Sequence, residues 1–404
     1  MRRFSIAIAF VAGTATLALA QAAVPIPAWV QSVEVTGSGT TIRARPSTHA
    51  ARRGTVQLGT HLPVLGRVLG EGCPGGEWIQ IGADAFVCER LLRYSPAPPS
   101  GDTLPRLLTE TALTPRMHAF VATDGAWAYA RPNDYFADHF TESLGRGFGV
   151  AIVERREVDG IDMARTLGGL WIVARDLRWA RPSDFRGVEV EDGTSIESIG
   201  WIVRDRAPIR ERASGGRTIE RASRLVRVTI ANEARGAYEL ADGTFLSTRD
   251  VARPRLTTPP EEVRGDERWI DVDTARQVVT AYVGSRPVYV TIASTGRSNT
   301  PTPRGVHRIW VKLAEDDMDD LEREDVVENY AIQAVPWVQY FEGSAGLHAA
   351  FWHDRFGMPR SHGCVNLSPR DARWLFEFTQ PSLPPGWDAV LPYGSAEGTI
   401  VRVR

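Results

Sequence analysis

Lysine is nearly missing from this chain. Of 47 basic side chains only Lys312 is a lysine, and the excess of arginine reads as compositional bias, not as a functional signature. Cysteine is scarce as well, at three residues in 404. A lone thiol without a second cysteine or a spaced carboxylate beside it gives no zinc-binding pattern, so neither metal nor cofactor is expected. Charge of one sign is absent too. A net charge of −2 offers no electrostatic case for nucleic acid or an anionic membrane surface. Beyond the first nineteen residues no apolar run is long enough to span a bilayer.

What is present describes a folded, exported protein. Hydrophobic residues make up 43% and charged residues 24%, and 404 residues leave room for two to four domains. Arg2 and Arg3 precede an apolar run from Phe4 to Leu19, followed by small residues at Ala18, Ala20, Ala22 and Ala23. That is the pattern of a signal peptide over 1–22, with a retained anchor as the alternative. The periplasm or cell envelope is the expected location, with no stable membrane insertion after cleavage. In such an oxidising space Cys73 and Cys88 are expected to form a disulfide, the alternative being two buried free thiols. Cys364 is then left unpaired where a free thiol usually has a task.

Between residues 30 and 95 short apolar or alternating runs are broken by Gly and Pro, which suggests a small β-barrel. The stretch Arg43-Ala44-Arg45-Pro46-Ser47 and the closing Ala85-Phe86-Val87 resemble bacterial SH3-like domains. The module recurs. Residues Phe86 to Tyr94 align without gaps on Trp171 to Trp179, and Ala44-Arg45-Pro46 corresponds to Ala130-Arg131-Pro132. This implies a second SH3-like module over 115–185. A possible third over 200–255 runs from Pro208-Ile209-Arg210 to Phe245 through Val251. Proline-rich linkers lie at 96–100 and 254–260.

From Arg268 onward the spacing predicts a β-meander with strands at 269–273, 278–283 and 287–293, then a strand at 306–312. The acidic segment 315–328 is helix-compatible and reads as a solvated helix, with a lid over the site as the functional alternative. Ser368-Pro369-Arg370-Asp371 carries a helix-start signal, with Ser as N-cap and Pro at N1. Ala372, Leu375, Phe376 and Phe378 would hold that helix against a sheet. Gly398 to Val403 closes the fold as a strand.

Chemistry concentrates in Ser361-His362-Gly363-Cys364-Val365-Asn366, with His348 upstream. Thiol acyl transfer needs a thiolate, an imidazole to take its proton, and donors aimed at an oxyanion. His348-Ala349-Ala350-Phe351-Trp352 followed by Ser361 to Pro369 resembles the catalytic stretch of the L,D-transpeptidases (YkuD domain). The resemblance runs over about Arg268 to Arg404, within a catalytic domain expected over 265–404, and includes the Ser294-Thr295-Gly296 and Thr302-Pro303-Arg304-Gly305 turns. It implies a mainly β fold: a C-terminal YkuD-type β-sandwich with one or two short helices, preceded by small SH3-like barrels.

The resemblance also implies roles. Cys364 matches the nucleophile, His348 the base held by the Ala349 carbonyl, and His362 and Gly363 the pair before the cysteine. The Gly363 and Cys364 N–H groups would form the oxyanion hole, and Asn366 would shape the loop. Substrate contacts are expected at Ser361, Asn366, Trp337 and Tyr340. Trp337 stands where the family often has tyrosine after Val335-Pro336. His353 is a rival base, and His49, His61, His118, His139 and His307 read as incidental. The implied function is a peptidoglycan L,D-transpeptidase that passes a stem peptide from the cysteine to an amine of another stem or of a protein. The alternatives are an L,D-carboxypeptidase or endopeptidase with water as acceptor, or a non-catalytic wall-binding protein.

Overall fold

A computed structural model describes residues 25–103, 105–319 and 331–404. The leader expected over 1–22 lies outside these. The protein is mainly β, with a single α-helix among the described residues.

Three N-terminal segments share one local pattern, a strand, a 3₁₀ turn and a second strand. It occurs at Ala85–Cys88, Glu89–Leu91 and Leu92–Ser95, and again at Trp171–Val173, Ala174–Asp176 and Leu177–Trp179. A third instance is Phe245–Ser247, Thr248–Asp250 and Val251–Ala252. These are the segments that align in sequence. Each closes over a small core: Val35, Ile42 and Val87 in the first, shared with Trp387 and Val390 of the C-terminal region, Ala128, Ile152 and Ile172 in the second, Ile202, Tyr238 and Leu246 in the third. Cys73 and Cys88 are joined by a disulfide in the first segment.

The C-terminal region is a two-sheet sandwich. Strands β1 (Arg268–Asp273), β2 (Val278–Val283) and β3 (Arg286–Ile292) form an antiparallel meander. β4 (Gly305–Arg308), the final strand β10 (Ile400–Val403) and the short upstream strand Val188–Glu189, which pairs with β3, complete that sheet, β10 lying parallel to β1. The facing sheet contains β5 (Val311–Asp319), β6 (Ala331–Glu342), β7 (Ala345–Ala349), β8 (Val365–Leu367) and β9 (Trp387–Val390). Ile270, Val272, Val279 and Ala281 from one sheet meet Trp337, Phe341, Leu347 and Leu367 from the other in the main core.

Two sequence expectations need correction. The strand predicted over 306–312 is two strands, because the chain changes sheets at Ile309 and Trp310. The Ile309 N–H donates to the Thr399 carbonyl, whereas that of Trp310 donates to Tyr340 in the other sheet. No glycine or proline marks the crossing. The helix expected over 315–328 is contradicted at its start, since residues 315–319 continue β5 as a strand. Pairing with β6 overrides their helical propensity, and residues 320–328 lie outside the described residues.

Helix α1 (Pro369–Phe378) starts as its sequence signals, with Ser368 Oγ accepting the Asp371 N–H at 3.2 Å. Its far end is capped by the sole lysine. Fully buried Lys312 donates from Nζ to the carbonyls of Phe376 and Thr379 at 2.7 and 2.9 Å, where the helix dipole favours a cation. Burial drags its pKa down to about 7. Asp371 anchors the other end. Its buried carboxylate accepts from Gly187 N–H (2.7 Å), Tyr289 Oη (2.7 Å) and Thr291 Oγ1. Burial pushes this carboxyl up and the donors pull it back.

Replacing Asp371 by Ala should therefore strand two buried hydroxyls, of Tyr289 and Thr291, and the part-buried Gly187 N–H. Urea unfolding should show a loss of at least about 3 kcal/mol, since each unmade buried bond costs on the order of 1–3 kcal/mol. An effect within about 0.5 kcal/mol, the size of a neutral surface change, would contradict this account.

Candidate active site

The site is built on the parallel pair β7–β8. Leu347 faces Val365, His348 faces Asn366 and Ala349 faces Leu367. Extending that register by one residue puts Cys364 level with Gly346. Side chains alternate along a strand. Ala345, Leu347 and Ala349 therefore enter the main core, while Gly346, His348, Cys364 and Asn366 share the opposite face. The thiol and the imidazole are thereby brought to one surface from residues sixteen positions apart. On β6, Tyr340 pairs with Gly346 and joins this face. A Cβ on Gly346 would meet the Tyr340 ring carbon Cδ1 at 2.9 Å, so glycine leaves room for the tyrosine beside the thiol.

His348 is almost wholly buried, and its Nδ1 lies 3.1 Å from the Ala349 carbonyl. A carbonyl can only accept, so Nδ1 carries the proton and Nε2 keeps its lone pair. Burial lowers the pKa of this histidine to about 4, and at neutral pH it is an uncharged base. Trp352 stacks near its ring, with centroids 5.8 Å apart.

Cys364 is partly accessible, with Sγ 3.5 Å from the Ser344 carbonyl. Desolvation raises its pKa, and the Gly346 N–H beside it pulls the other way. The resting pair is thus a neutral thiol and a neutral imidazole.

The loop before the cysteine is closed by Ser361, whose Oγ donates to the Cys364 carbonyl and accepts the Gly363 N–H at 3.2 Å. Gly363 has φ of 127°, a conformation L side chains rarely adopt, so glycine is required here by the backbone. In this resting arrangement its N–H is engaged by Ser361 and is not directed at a substrate. His362 is exposed.

The loop is pinned to the opposite sheet. Ser294 and Asn366 exchange backbone hydrogen bonds at 2.8 and 2.9 Å, and Arg297 N–H donates to the Ser361 carbonyl at 3.1 Å. Gly296 lets the adjoining turn fold tightly, because a Cβ there would stand 2.2 Å from the Thr300 carbonyl oxygen.

Trp337 does not belong to the site. It is buried in the main core with Phe341 and Leu347, on the far side of the sheet from the thiol, which corrects the expected substrate contact. Tyr340 is on the site's face and donates its hydroxyl to Asp316 at 2.7 Å. His353 does not compete as base. Its Nδ1 accepts the Arg355 N–H and its Nε2 meets the Asn366 side-chain amide at 3.1 Å. Both ring nitrogens are thereby engaged within the loop.

His118, read from sequence as incidental, is buried and stacks on Phe351 at 3.8 Å, which in turn packs edge-on against Trp352. Nothing local in the sequence signals that contact, because its partner lies more than 230 residues away. No cluster of metal-ligating side chains occurs among the described residues.

The mainly β sandwich thus presents one cysteine and one oriented histidine on a single face. Residues 267–403 match the YkuD family, described as the L,D-transpeptidase catalytic domain, so the C-terminal third of the chain carries that domain. No curated protein matches the sequence. Among solved structures, a mutant Enterococcus faecium L,D-transpeptidase is 22% identical over 34% of this chain and 50% of its own, with a TM-score of 0.27. L,D-transpeptidase 3 from Mycobacterium tuberculosis is 19% identical over 40% of this chain and 73% of its own, at 0.29. An L,D-transpeptidase from Mycobacterium smegmatis is 18% identical over 63% and 99%, at 0.29. This chain thus spans half the length of the enterococcal protein.

Because the Cys364 thiol is held above its ordinary pKa, thiolate rises with pH throughout the neutral range. Alkylation by iodoacetamide should accelerate roughly tenfold per pH unit from 7 to 9, as the thiolate fraction does. A rate already on a plateau at pH 6 would mean a preformed thiolate–imidazolium pair instead.

Proposed function

We propose that this protein is an exported peptidoglycan L,D-transpeptidase working through a cysteine acyl-enzyme. The observation that carries the reading is the β7–β8 register, which sets Cys364 and the open Nε2 side of His348 on one face. In this reading the imidazole takes the thiol proton as sulfur attacks the carbonyl of the L-to-D peptide bond. The tetrahedral oxyanion is met by the Cys364 N–H, joined by that of Gly363 once the Ser361 hydroxyl turns away. The imidazolium returns its proton to the departing amine of the terminal D-residue. An amine from a second stem peptide, or from a protein, then attacks the thioester, loses its proton to His348 and frees the thiol.

Ser361 and Asn366 hold the loop in this scheme, and His362, exposed beside the thiol, orients incoming peptide. Tyr340 borders the acceptor side. The three N-terminal segments, over 30–95, 115–185 and 200–255, are SH3-like modules that present the domain to the wall. A signal peptide over 1–22 delivers the chain to the envelope. Among the described residues no helix is long and apolar enough to cross a membrane.

Purified mature protein incubated with disaccharide-tetrapeptide should yield, by mass spectrometry, a cross-linked dimer lacking one D-alanine. Cys364→Ala should abolish that product, and His348→Ala should slow it about 10²–10⁴-fold, the usual range for a lost general base. Tripeptide as the sole product would assign the acceptor role to water. Intact substrate with both wild type and C364A would refute the enzyme reading in favour of wall binding.

A further inference from the structure

The segment from Ala350 to Arg360, between the histidine strand and the cysteine loop, has neither helix nor strand. A segment without regular structure must find partners for its carbonyls elsewhere. Three consecutive ones are met by side chains. Ser294 Oγ donates to the Arg355 carbonyl at 2.9 Å. The carbonyls on either side, of Asp354 and Phe356, both accept from one guanidinium, Arg224 Nη2, at 2.9 and 3.1 Å.

Arg224 belongs to the third N-terminal segment, not to the catalytic domain. Its side chain is only 7% exposed, and its Nη1 donates to Val203 in its own segment while approaching Met358 Sδ at 3.7 Å. Asp205 sits 3.5 Å from Arg224 Nε and 3.3 Å from Arg355 Nη1, tying the two arginines together. The next residue, Leu225, has φ of 64°, a strained conformation for a branched side chain, and its N–H donates to Ile202 at 2.7 Å.

The contact is tight as well as polar. Phe356 is fully buried against Trp201 and Val203 of the same segment, and a Cβ on Gly357 would stand 2.2 Å from Val203 Cγ1. From this clamped segment the path to the thiol is short. His353 meets Asn366, two residues past the cysteine, and the Arg360 N–H donates to Thr295 at 2.9 Å just before Ser361.

We propose that Arg224 is a positioning residue of the third module that fixes the 350–360 segment, and through it the cysteine loop, in the geometry acyl transfer needs. The third module is on this view a wall of the active site and not only a tether. A planar guanidinium suits the task because Nη2 holds the two carbonyls of the segment while Nη1, fixed in the same plane, donates to Val203 in its own module, a division between two nitrogens that a single ammonium lacks. The inference rests on the acyl-transfer reading for its effect on turnover, but its effect on the segment does not.

The test uses the full mature chain with Arg224→Met, which keeps the apolar stem, and Arg224→Lys, which keeps the charge. Hydrogen exchange followed by mass spectrometry should show peptides covering 350–361 exchanging faster in R224M, while the β1–β3 sheet stays at wild-type rates. On disaccharide-tetrapeptide, kcat should fall about 10–100-fold with KM within about threefold, the cost of a small misplacement of reacting groups. R224K should recover only part of both losses.

Unchanged local exchange with turnover within about twofold of wild type would overturn the proposal. So would exchange rising uniformly over the whole chain in both variants, which is the mark of a merely structural arginine. Should wild type leave the tetrapeptide untouched, the transpeptidase reading fails, and local exchange with the rate of Cys364 alkylation by iodoacetamide still decides the role of Arg224.

Discussion

Everything in the catalytic domain serves a single pairing, the in-register parallel contact of β7 with β8. It is three residues long on each side. Parallel neighbours at the same level point the same way, so the register alone decides that histidine and cysteine share a face. A slip by one residue would turn the thiol into the core. So short a pairing cannot hold itself against that slip. Its register is enforced from three directions: by the apolar side chains at 345, 347 and 349 packed between the sheets, by the bridge from Ser294 to Asn366, and by helix α1 leaving directly after Leu367.

Helix α1 is in turn held at both ends by buried charges. Asp371 takes donors from β3 and from the Gly187 backbone, and Lys312 caps the final carbonyls. Isolated charges in such places would be costly; Asp371 accepts three hydrogen bonds, and Lys312 donates two and lies over the Phe376 ring. That the chain's sole lysine lies here gives Lys312 a meaning that composition did not: a compact ammonium on a flexible stem reaches two carbonyls at a helix end.

The catalytic domain is also not free of its N-terminal neighbours. The strand Arg52–Val56 of the first segment pairs with β9, and Gly149 of the second pairs with Ile332 in β6. Arg116 grips Glu315 in a two-pronged ion pair, and His118 stacks on Phe351. The third segment covers Phe356 and Gly357. Sheet edges that would otherwise stand open are thus closed by strands of the same chain.

Much of this was legible in the sequence where the signal was local. The strand at 278–283, the Ser-Pro start of α1 and the glycine before the cysteine each follow from residue chemistry within a few positions. Local motif chemistry also singled out Cys364 and His348, which the structure brings to one face. The break at Ile309-Trp310, the burial of Trp337, the strand at 315–319 and the grip of Arg224 and His118 did not follow from local chemistry. Each depends on which sheet, face or module a residue meets, and its partner lies tens to hundreds of residues away. The sequence by itself determined the chemical parts and the local turns that carry them. Only the tertiary structure decided which side of a sheet they share and what holds them there, because a side chain's face is set by pairing register and not by its neighbours in the chain.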